Sequence, residues 1–201
     1  MEKSILLILA LSIFSLTANA QIKAQKPLHF VNFGIRSGAN IFNWGGAEPG
    51  HDLSFKEGFH AGVYGNMFLT DEFSVEPGIY YSLQGTRFGL RSSSRATLHY
   101  IDLPVLARYF VTDAFNVFAG PQVSYLLSST LEGDFFDPNG RSPEDINTVD
   151  AGIILGVGYK FHWGVNAQIS YDLGLIPVFN DNLQNLYNRG FKLSIGYNFL
   201  N

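Results

Sequence analysis

The chain has 201 residues, of which 13 are Lys or Arg and 17 are Asp or Glu, so its formal net charge is −4. This acidic balance argues against a nucleic-acid partner, because binding to phosphates needs a surplus of cationic side chains. The chain contains no cysteine, which excludes disulfides and thiolate metal sites. Glycine (21 residues), Phe (18) and Tyr (10) are abundant, as is typical of strands that close into a barrel.

The N-terminal segment predicts export. Lys3 precedes an apolar stretch from Ile5 to Leu16, and Ala18-Asn19-Ala20 follows, an order typical of a cleavable signal peptide. We therefore expect a signal peptide at residues 1–20, a short periplasmic segment at 21–29 and one barrel domain at 30–201. The rest of the sequence has no apolar run of about eighteen residues, so it predicts no transmembrane helix.

Eight segments alternate apolar and polar residues, which predicts β-strands, because successive strand side chains point to opposite faces. The first pairs Phe33 and Ile35 on one face with Asn32, Gly34 and Arg36 on the other. In chain order, the first four predicted strands cover about residues 31–41, 59–69, 73–84 and 100–109. The last four cover about residues 115–125, 149–160, 165–174 and 191–201.

Two prolines fall inside predicted strands. Pro77 lies in the third and Pro121 in the fifth. Since proline donates no ladder hydrogen bond, we expect a local irregularity at each position.

Short and long connections alternate strictly along the predicted strands. The long ones are predicted at about residues 42–57, 85–97, 128–148 and 176–189. Bacterial outer-membrane barrels have short periplasmic turns and longer extracellular loops, so both termini are expected in the periplasm. Two sets of aromatic residues are expected to form girdles at the interfaces: Tyr109, Phe110, Phe115, Tyr159, Phe161, Trp163 and Phe199 at the short-turn end, and Phe42, Trp44, Tyr81 and Tyr125 at the other.

These observations together favour one fold class. Repeated half-apolar strands with no amphipathic helix to cover them, in an exported chain, predict an all-β, eight-stranded, antiparallel up-and-down transmembrane β-barrel with its apolar face toward lipid. A soluble lipocalin-like barrel with the apolar face inward is the alternative.

Three strand phrases carry a family resemblance: residues 33–40 (FGIRSGAN), 100–109 (YIDLPVLARY) and 151–159 (AGIILGVGY). They resemble the PorT-like outer membrane protein β-barrel domain family. The resemblance implies an eight-stranded outer-membrane barrel of a Gram-negative bacterium. It implies no catalytic motif, and although some relatives are linked to secretion, no residue here carries that role over.

The polar strand face carries charged residues and one histidine that are predicted to point into the barrel: Arg36, His60, Glu76, Asp102, Arg108, Asp150, Lys160, Asp172 and Lys192. An eight-stranded barrel has room for little besides side chains, and buried charges must be paired. We therefore predict a lumen ion-pair network. A narrow path for protons or small ions is the alternative.

Three further patterns in the sequence could indicate a catalytic, calcium-binding or dinucleotide-binding site. Ser37 and His99 both occupy the apolar face, where a lipid-modifying enzyme would need its nucleophile and base, but no acidic residue or motif accompanies them. The acidic residues Glu132, Asp134, Asp137, Glu144 and Asp145 lack the spacing of a calcium loop and predict a solvated loop. Gly156-Val157-Gly158 lacks a third glycine and a following helix, so it predicts strand packing rather than a dinucleotide site.

Arg87, Arg91 and Arg95 lie in a predicted loop without an acid, and their guanidinium groups suit contacts with lipopolysaccharide phosphates. Simple solvation of these arginines, or their pairing with the neighbouring acidic loop, is the alternative. The C-terminal residues 197–201 are expected to be recognised by the barrel-assembly machinery. No catalytic residue, cofactor or metal is predicted. The sequence thus favours a structural or interaction role in the outer membrane, with a lipid-modifying enzyme, a narrow channel or a secretion-associated barrel as alternatives.

Overall fold

The computed structural model describes residues 31–46, 53–88, 95–132, 145–180 and 185–199. They form the strands β1 (Val31–Gly45), β2 (Leu53–Phe68), β3 (Phe73–Phe88), β4 (Arg95–Phe110), β5 (Phe115–Glu132), β6 (Val149–Lys160), β7 (Val165–Pro177) and β8 (Tyr187–Asn198). The strands make one closed antiparallel barrel, in which β8 pairs with β1. No helix in these ranges is long and apolar enough to cross a membrane.

The two faces of the wall have opposite polarity. In β1 and β8, Phe33 is 59% exposed and Ile195 is 65% exposed, whereas Asn40 and Ser194 are at most 1% exposed. Apolar side chains therefore cover the outside, and polar side chains fill the lumen. Closure satisfies the backbone hydrogen bonds within the wall, which a bilayer requires. The predicted fold class is confirmed, because the apolar face of the alternating strands points outward, opposite to the direction that a lipocalin-like barrel requires.

The two ends of the barrel differ. One end carries the turns at residues 69–72, 111–114 and 161–164, and we call it the short-turn end; the opposite end is the loop end. Thr70 caps its turn by accepting a hydrogen bond from the Phe73 amide at 3.0 Å, and Thr112 accepts one from the Phe115 amide at 2.9 Å. These hydroxyl caps explain why such short connections suffice there.

The predicted loop boundaries were wrong at the loop end, because the strands continue into them. β1 reaches Gly45, β2 begins at Leu53, β3 reaches Phe88 and β4 begins at Arg95. These extensions contain Ser54, Lys56 and Arg87 among others, so apolar and polar residues no longer alternate regularly in them. Their backbone ladder nevertheless continues, and ladder hydrogen bonds do not depend on side-chain polarity.

Pro77 and Pro121 each interrupt the pairing with one neighbouring strand but do not shift its register. Pro77 has no partner in β2, and Pro121 has no partner in β4, although β5 pairs continuously with β6 through Pro121. The predicted irregularities are therefore gaps in the ladder and not bulges. The register shifts lie nearer the loop end, between Phe55 and His60, between His99 and Tyr100, and between Leu173 and Pro177. Opposite the first shift is Gly85, whose φ of +136° suits a bulge that only glycine adopts easily.

Three members of the predicted aromatic girdles point inward. Phe42 is 1% exposed and Trp44 is 2% exposed. Phe110 lies on the lumen side at the short-turn end, where its ring packs 5.5 Å from that of Phe68. All three are even-numbered residues on strands whose inward positions are even. The parity rule that identified the lumen charges therefore places these rings in the lumen as well.

Candidate functional site

The lumen near the short-turn end is blocked by a carboxylate held between two arginines. Glu76 Oε1 accepts hydrogen bonds from Arg36 Nη1 at 2.6 Å and from Arg108 Nη2 at 2.9 Å. Its Oε2 accepts from Arg36 Nη2 at 3.2 Å and from Arg108 Nε at 3.1 Å. All three side chains are at most 5% exposed. We call this group the Glu76 cluster.

Neutral neighbours complete the Glu76 cluster. Arg108 Nη1 donates to Asn116 Oδ1 at 2.6 Å, and Arg36 Nη1 donates to the Tyr80 hydroxyl at 3.0 Å. Each guanidinium also lies over an aromatic ring, as Arg36 does over Tyr64 at 3.9 Å, a contact that favours a cation. Almost every guanidinium donor thus has an acceptor, which is what a desolvated charge requires.

A second charged group lies closer to the loop end. Lys192 Nζ is 2.9 Å from Asp102 Oδ2 and 2.7 Å from Asp172 Oδ2. Asp102 Oδ1 also accepts a hydrogen bond from Ser124 Oγ at 2.7 Å. Asp102 is fully buried, and Lys192 is 7% exposed. We call Asp102, Asp172 and Lys192 the Lys192 cluster; its formal charge is −1.

His60 lies in the lumen with neutral hydrogen-bond partners. Its Nδ1 is 2.6 Å from Asn40 Oδ1, and its Nε2 is 2.8 Å from Ser194 Oγ. Asn40 also donates to Ser82 Oγ at 3.1 Å. His60 therefore belongs to a hydrogen-bonded chain across the lumen and contacts no carboxylate directly.

The remaining two predicted lumen residues lie apart from both clusters. Lys160 lines a small open cavity, with a volume of about 20 Å³, at the short-turn end, together with members of the Glu76 cluster. Asp150 Oδ2 accepts a hydrogen bond from Asn188 Nδ2 at 2.8 Å, and Asp150 forms no salt bridge with any residue the structure describes.

An apolar cap that the sequence did not predict closes the loop end of the lumen. Its buried members come from strands and connections alike: Trp44, Ala96, Leu98, Tyr100, Ile146, Val178, Phe179 and Leu186. The rings of Trp44 and Phe179 meet edge to face at 5.3 Å. Ile146 forms a β-bridge with Phe179, and the Asn147 amide donates to Val178 O at 2.8 Å. The connections after β5 and after β7 are therefore joined to each other over the lumen.

Glycines make room for the lumen side chains. A Cβ on Gly156 would lie 2.3 Å from Phe118 Cζ, and one on Gly158 would lie 2.8 Å from Asn116 Oδ1. The Gly156-Val157-Gly158 phrase thus allows large groups from β5 to lie flat against β6, consistent with the strand packing predicted for it.

The Ser37 and His99 side chains do not meet. They lie on β1 and β4, with β2 and β3 between them, which separates them by about 14 Å at the usual strand spacing. His99 Nδ1 is instead 2.6 Å from the Tyr81 hydroxyl. No nucleophile and base pair is formed by these two residues.

The predicted lipopolysaccharide contacts lie at the loop end. Arg87 and Arg95 are directly opposite each other in the pairing of β3 with β4. Arg87 Nη2 is 2.5 Å from Glu57 Oε1, and both side chains are well exposed. Arg91 lies outside the described residues, as do most of the acidic residues predicted to form a solvated loop: Asp134, Asp137 and Glu144.

Comparison with known proteins supports the outer-membrane assignment. A family model described as outer membrane protein β-barrel domain matches residues 19–180. Comparison with curated proteins gives no match.

Several solved structures are similar to this chain. Neisserial surface protein A is 14% identical, with 83% of this chain and 97% of that chain covered and a TM-score of 0.58. Ail, the attachment invasion locus protein of Yersinia pestis, is 14% identical, with 85% and 100% covered and a TM-score of 0.49. Outer membrane protein W of E. coli is 19% identical, with 84% and 98% covered and a TM-score of 0.42.

Identities this low show the fold alone. The family match covers most of the chain, whereas the narrower PorT-like assignment stays a prediction. This chain belongs to the outer membrane protein β-barrel domain family, as an integral outer-membrane barrel of eight strands.

Proposed function

We propose that this protein is a non-conducting outer-membrane barrel with a structural or interaction role, which it performs through its outer surface and its longer connections. The observation that carries the proposal is the filled lumen. The Glu76 cluster, the Lys192 cluster and the apolar cap lie at successive levels of the barrel. An ion would have to displace paired charges and then cross an apolar layer.

Planar bilayer recordings test this proposal. The purified protein is expected to give no unit conductance steps, while an open porin added to the same bilayer serves as the positive control. Unit steps from the wild-type protein that change in size in Asp102→Asn would refute the proposal and favour the narrow channel.

We also propose that the longer connections face the cell exterior, with both termini in the periplasm. The support is the usual asymmetry of bacterial barrels. Protease shaving of intact cells tests it, using epitope tags inserted at Asn139 and at Asp113. Cleavage only at Asn139 is expected, and cleavage only at Asp113 would reverse the orientation.

Lipopolysaccharide is the proposed lipid partner. Arg87 and Arg95 are cross-strand neighbours on the face that carries apolar side chains lower down the wall. Like charges directly opposite each other are unfavourable in a sheet, and a phosphate between them would relieve this repulsion through forked hydrogen bonds. The ion pair of Arg87 with Glu57 supplies part of this relief for Arg87, and Arg95 lies directly opposite Glu132 in the pairing of β4 with β5. A phosphate would therefore add to these contacts.

Binding of purified lipopolysaccharide to the protein in detergent tests this partner. The double variant Arg87→Gln with Arg95→Gln is expected to bind at least about tenfold more weakly, because two charge-assisted contacts are lost. Lys160→Gln, which removes a cation at the opposite end, serves as the matched control. Equal binding by the double variant and the control would refute the assignment.

A lipid-modifying enzyme is less well supported, since Ser37 and His99 lie on strands that are not neighbours. Its signature would be turnover of phospholipid or lipid A by the wild-type protein that His99→Ala abolishes. We expect no turnover by either protein.

A further inference from the structure

A second cavity lies in the lumen, between the Lys192 cluster and the loop end of the barrel. It is small, with a volume of about 10 Å³, and β1, β3, β5, β6, β7 and β8 contribute to its lining. The polar lining residues are Gln84, Gln122, Ser124, Asp150, Asp172 and Asn188. Their side chains bring two carboxylates and three amides to one enclosed space.

Several acceptor oxygens on this lining lack a donor. Among the described residues, none donates a hydrogen bond to Gln122 Oε1, Asp150 Oδ1 or Asn188 Oδ1. The three side chains are 8%, 9% and 3% exposed, respectively. A buried acceptor without a donor is costly, and buried polar atoms in native proteins are nearly always satisfied. Three such oxygens on one cavity indicate a group that interacts with oxygen lone pairs.

The charge of the cavity points the same way. Its lining contains Asp150 and Asp172 and no cationic side chain. Lys192 does not line the cavity and is shared by Asp102 and Asp172, and Asp150 forms no salt bridge with a described residue. The three carboxylates and the one ammonium together carry a formal charge of −2. A buried negative charge of this size needs a counter-ion.

We propose that this cavity binds a hard cation through oxygen ligands, and that Ca²⁺ is the ion whose charge and ligand preference it fits. Ca²⁺ takes six to eight oxygen ligands from carboxylates and from amide carbonyls, the groups that line the cavity. Thiol ligands are absent from the sequence, and no histidine lines the cavity. The chemistry therefore does not suit zinc or other softer metals. The inference is independent of the proposed lack of conductance.

The experiment uses purified full-length protein, free of lipopolysaccharide so that no lipid phosphate competes for the ion. The protein is unfolded in urea and refolded into detergent micelles, because the apolar cap restricts access to the folded cavity. Refolding is carried out in CaCl₂ or in EDTA, and the thermal midpoint is recorded for each. Terbium luminescence gives a direct second readout, since Tb³⁺ takes oxygen ligands as Ca²⁺ does and Tyr100 lies beside Asn188 as a sensitiser.

Three variants separate the site from general electrostatics. Asp150→Asn removes the unpaired charge, Gln122→Leu removes a neutral ligand oxygen, and Asp113→Asn removes an exposed charge in a turn as the matched control. Wild type and Asp113→Asn are expected to gain thermal stability as Ca²⁺ rises. Asp150→Asn is expected to lose at least about tenfold in Ca²⁺ affinity, and Gln122→Leu is expected to bind more weakly than wild type.

The result that overturns the proposal is equally specific. If wild type shows the same thermal midpoint in Ca²⁺ and in EDTA and no terbium luminescence, the cavity does not bind the ion. If Asp150→Asn responds to Ca²⁺ as wild type does, the ion binds elsewhere. A response reproduced by NaCl at matched ionic strength would also refute a specific site.

Discussion

The Glu76 cluster is best tested by changing the carboxylate alone. Glu76→Gln preserves the size and shape of the side chain but removes its charge. One acceptor oxygen becomes an NH₂ group, so two of the four hydrogen bonds from Arg36 and Arg108 cannot form. Two buried guanidinium ions would then face each other without an anion between them.

The expected loss of stability is large for a single substitution. Removing one partner of a buried ion pair typically costs about 3–5 kcal/mol, because the remaining charge is left uncompensated. Even the lower figure changes the unfolding equilibrium constant more than about a hundredfold. Relief should come from removing one of the facing cations. The double variant Glu76→Gln with Arg108→Met is therefore expected to lose less free energy of unfolding than the sum of the losses in the two single variants.

Equilibrium urea unfolding in detergent micelles or lipid vesicles measures these differences, with heat-modifiable gel migration as the readout for the folded barrel. Glu72→Gln is the matched control, because Glu72 lies exposed in a turn and its contact with the Tyr109 hydroxyl is long at 3.4 Å. If Glu76→Gln costs less than about 1 kcal/mol, the arginines are not buried charges that depend on Glu76.

Four further changes probe other parts of the barrel. Leu155→Arg, near the middle of the outer face of β6, should cost about 2–4 kcal/mol in lipid vesicles, and Val149→Arg at the strand end should cost clearly less; equal costs would argue against lipid at this face. Gly156→Ala should lower the folded fraction on gels because its Cβ would lie 2.3 Å from Phe118, whereas Gly65→Ala, whose nearest contact is 3.5 Å, should not. Phe179→Ala should speed hydrogen exchange at the Asn147 and Asn180 amides, while Trp163→Ala, which removes an 82% exposed ring, leaves them unchanged. Deleting residues 199–201 should impair assembly in cells and remove the 2.8 Å hydrogen bond from the Phe199 amide to Phe33 O; normal assembly would contradict the proposed recognition.

The fold could be predicted from the sequence because one physical rule covers most of it. Period-two alternation of residues such as Phe33 and Arg36 reports which face each side chain takes, and closure follows from the need to pair every strand in a bilayer. Strand ends were predicted poorly. At the loop end the outer face loses its apolar pattern, so residues such as Lys56 and Arg87 resemble loop residues although their backbone is still paired.

The candidate site was predictable in part. Parity placed Glu76, Arg36 and Arg108 on one face, but which charges meet depends on the register between strands far apart in the chain. The neutral partners Asn116 and Tyr80 share that parity, so the same rule also predicts that they point into the lumen. The apolar cap could not be predicted in this way, because Ile146 and Phe179 lie in connections where apolar and polar residues do not alternate.

Unequal strand lengths shape the top of the barrel. β5 has 18 residues and β2, β3 and β4 have 16 each, whereas β6 and β8 have 12. At about 3.3 Å per residue, a difference of six residues raises β5 by about 20 Å along its own direction relative to β6. The rim is therefore slanted, with a tall wall that carries Arg87 and Arg95 and a low side over which the Ile146 and Phe179 connections fold. A partner that approaches along the barrel axis meets the tall wall first, and one that approaches from the low side meets the connections that contain Ile146 and Phe179, whose side chains are buried.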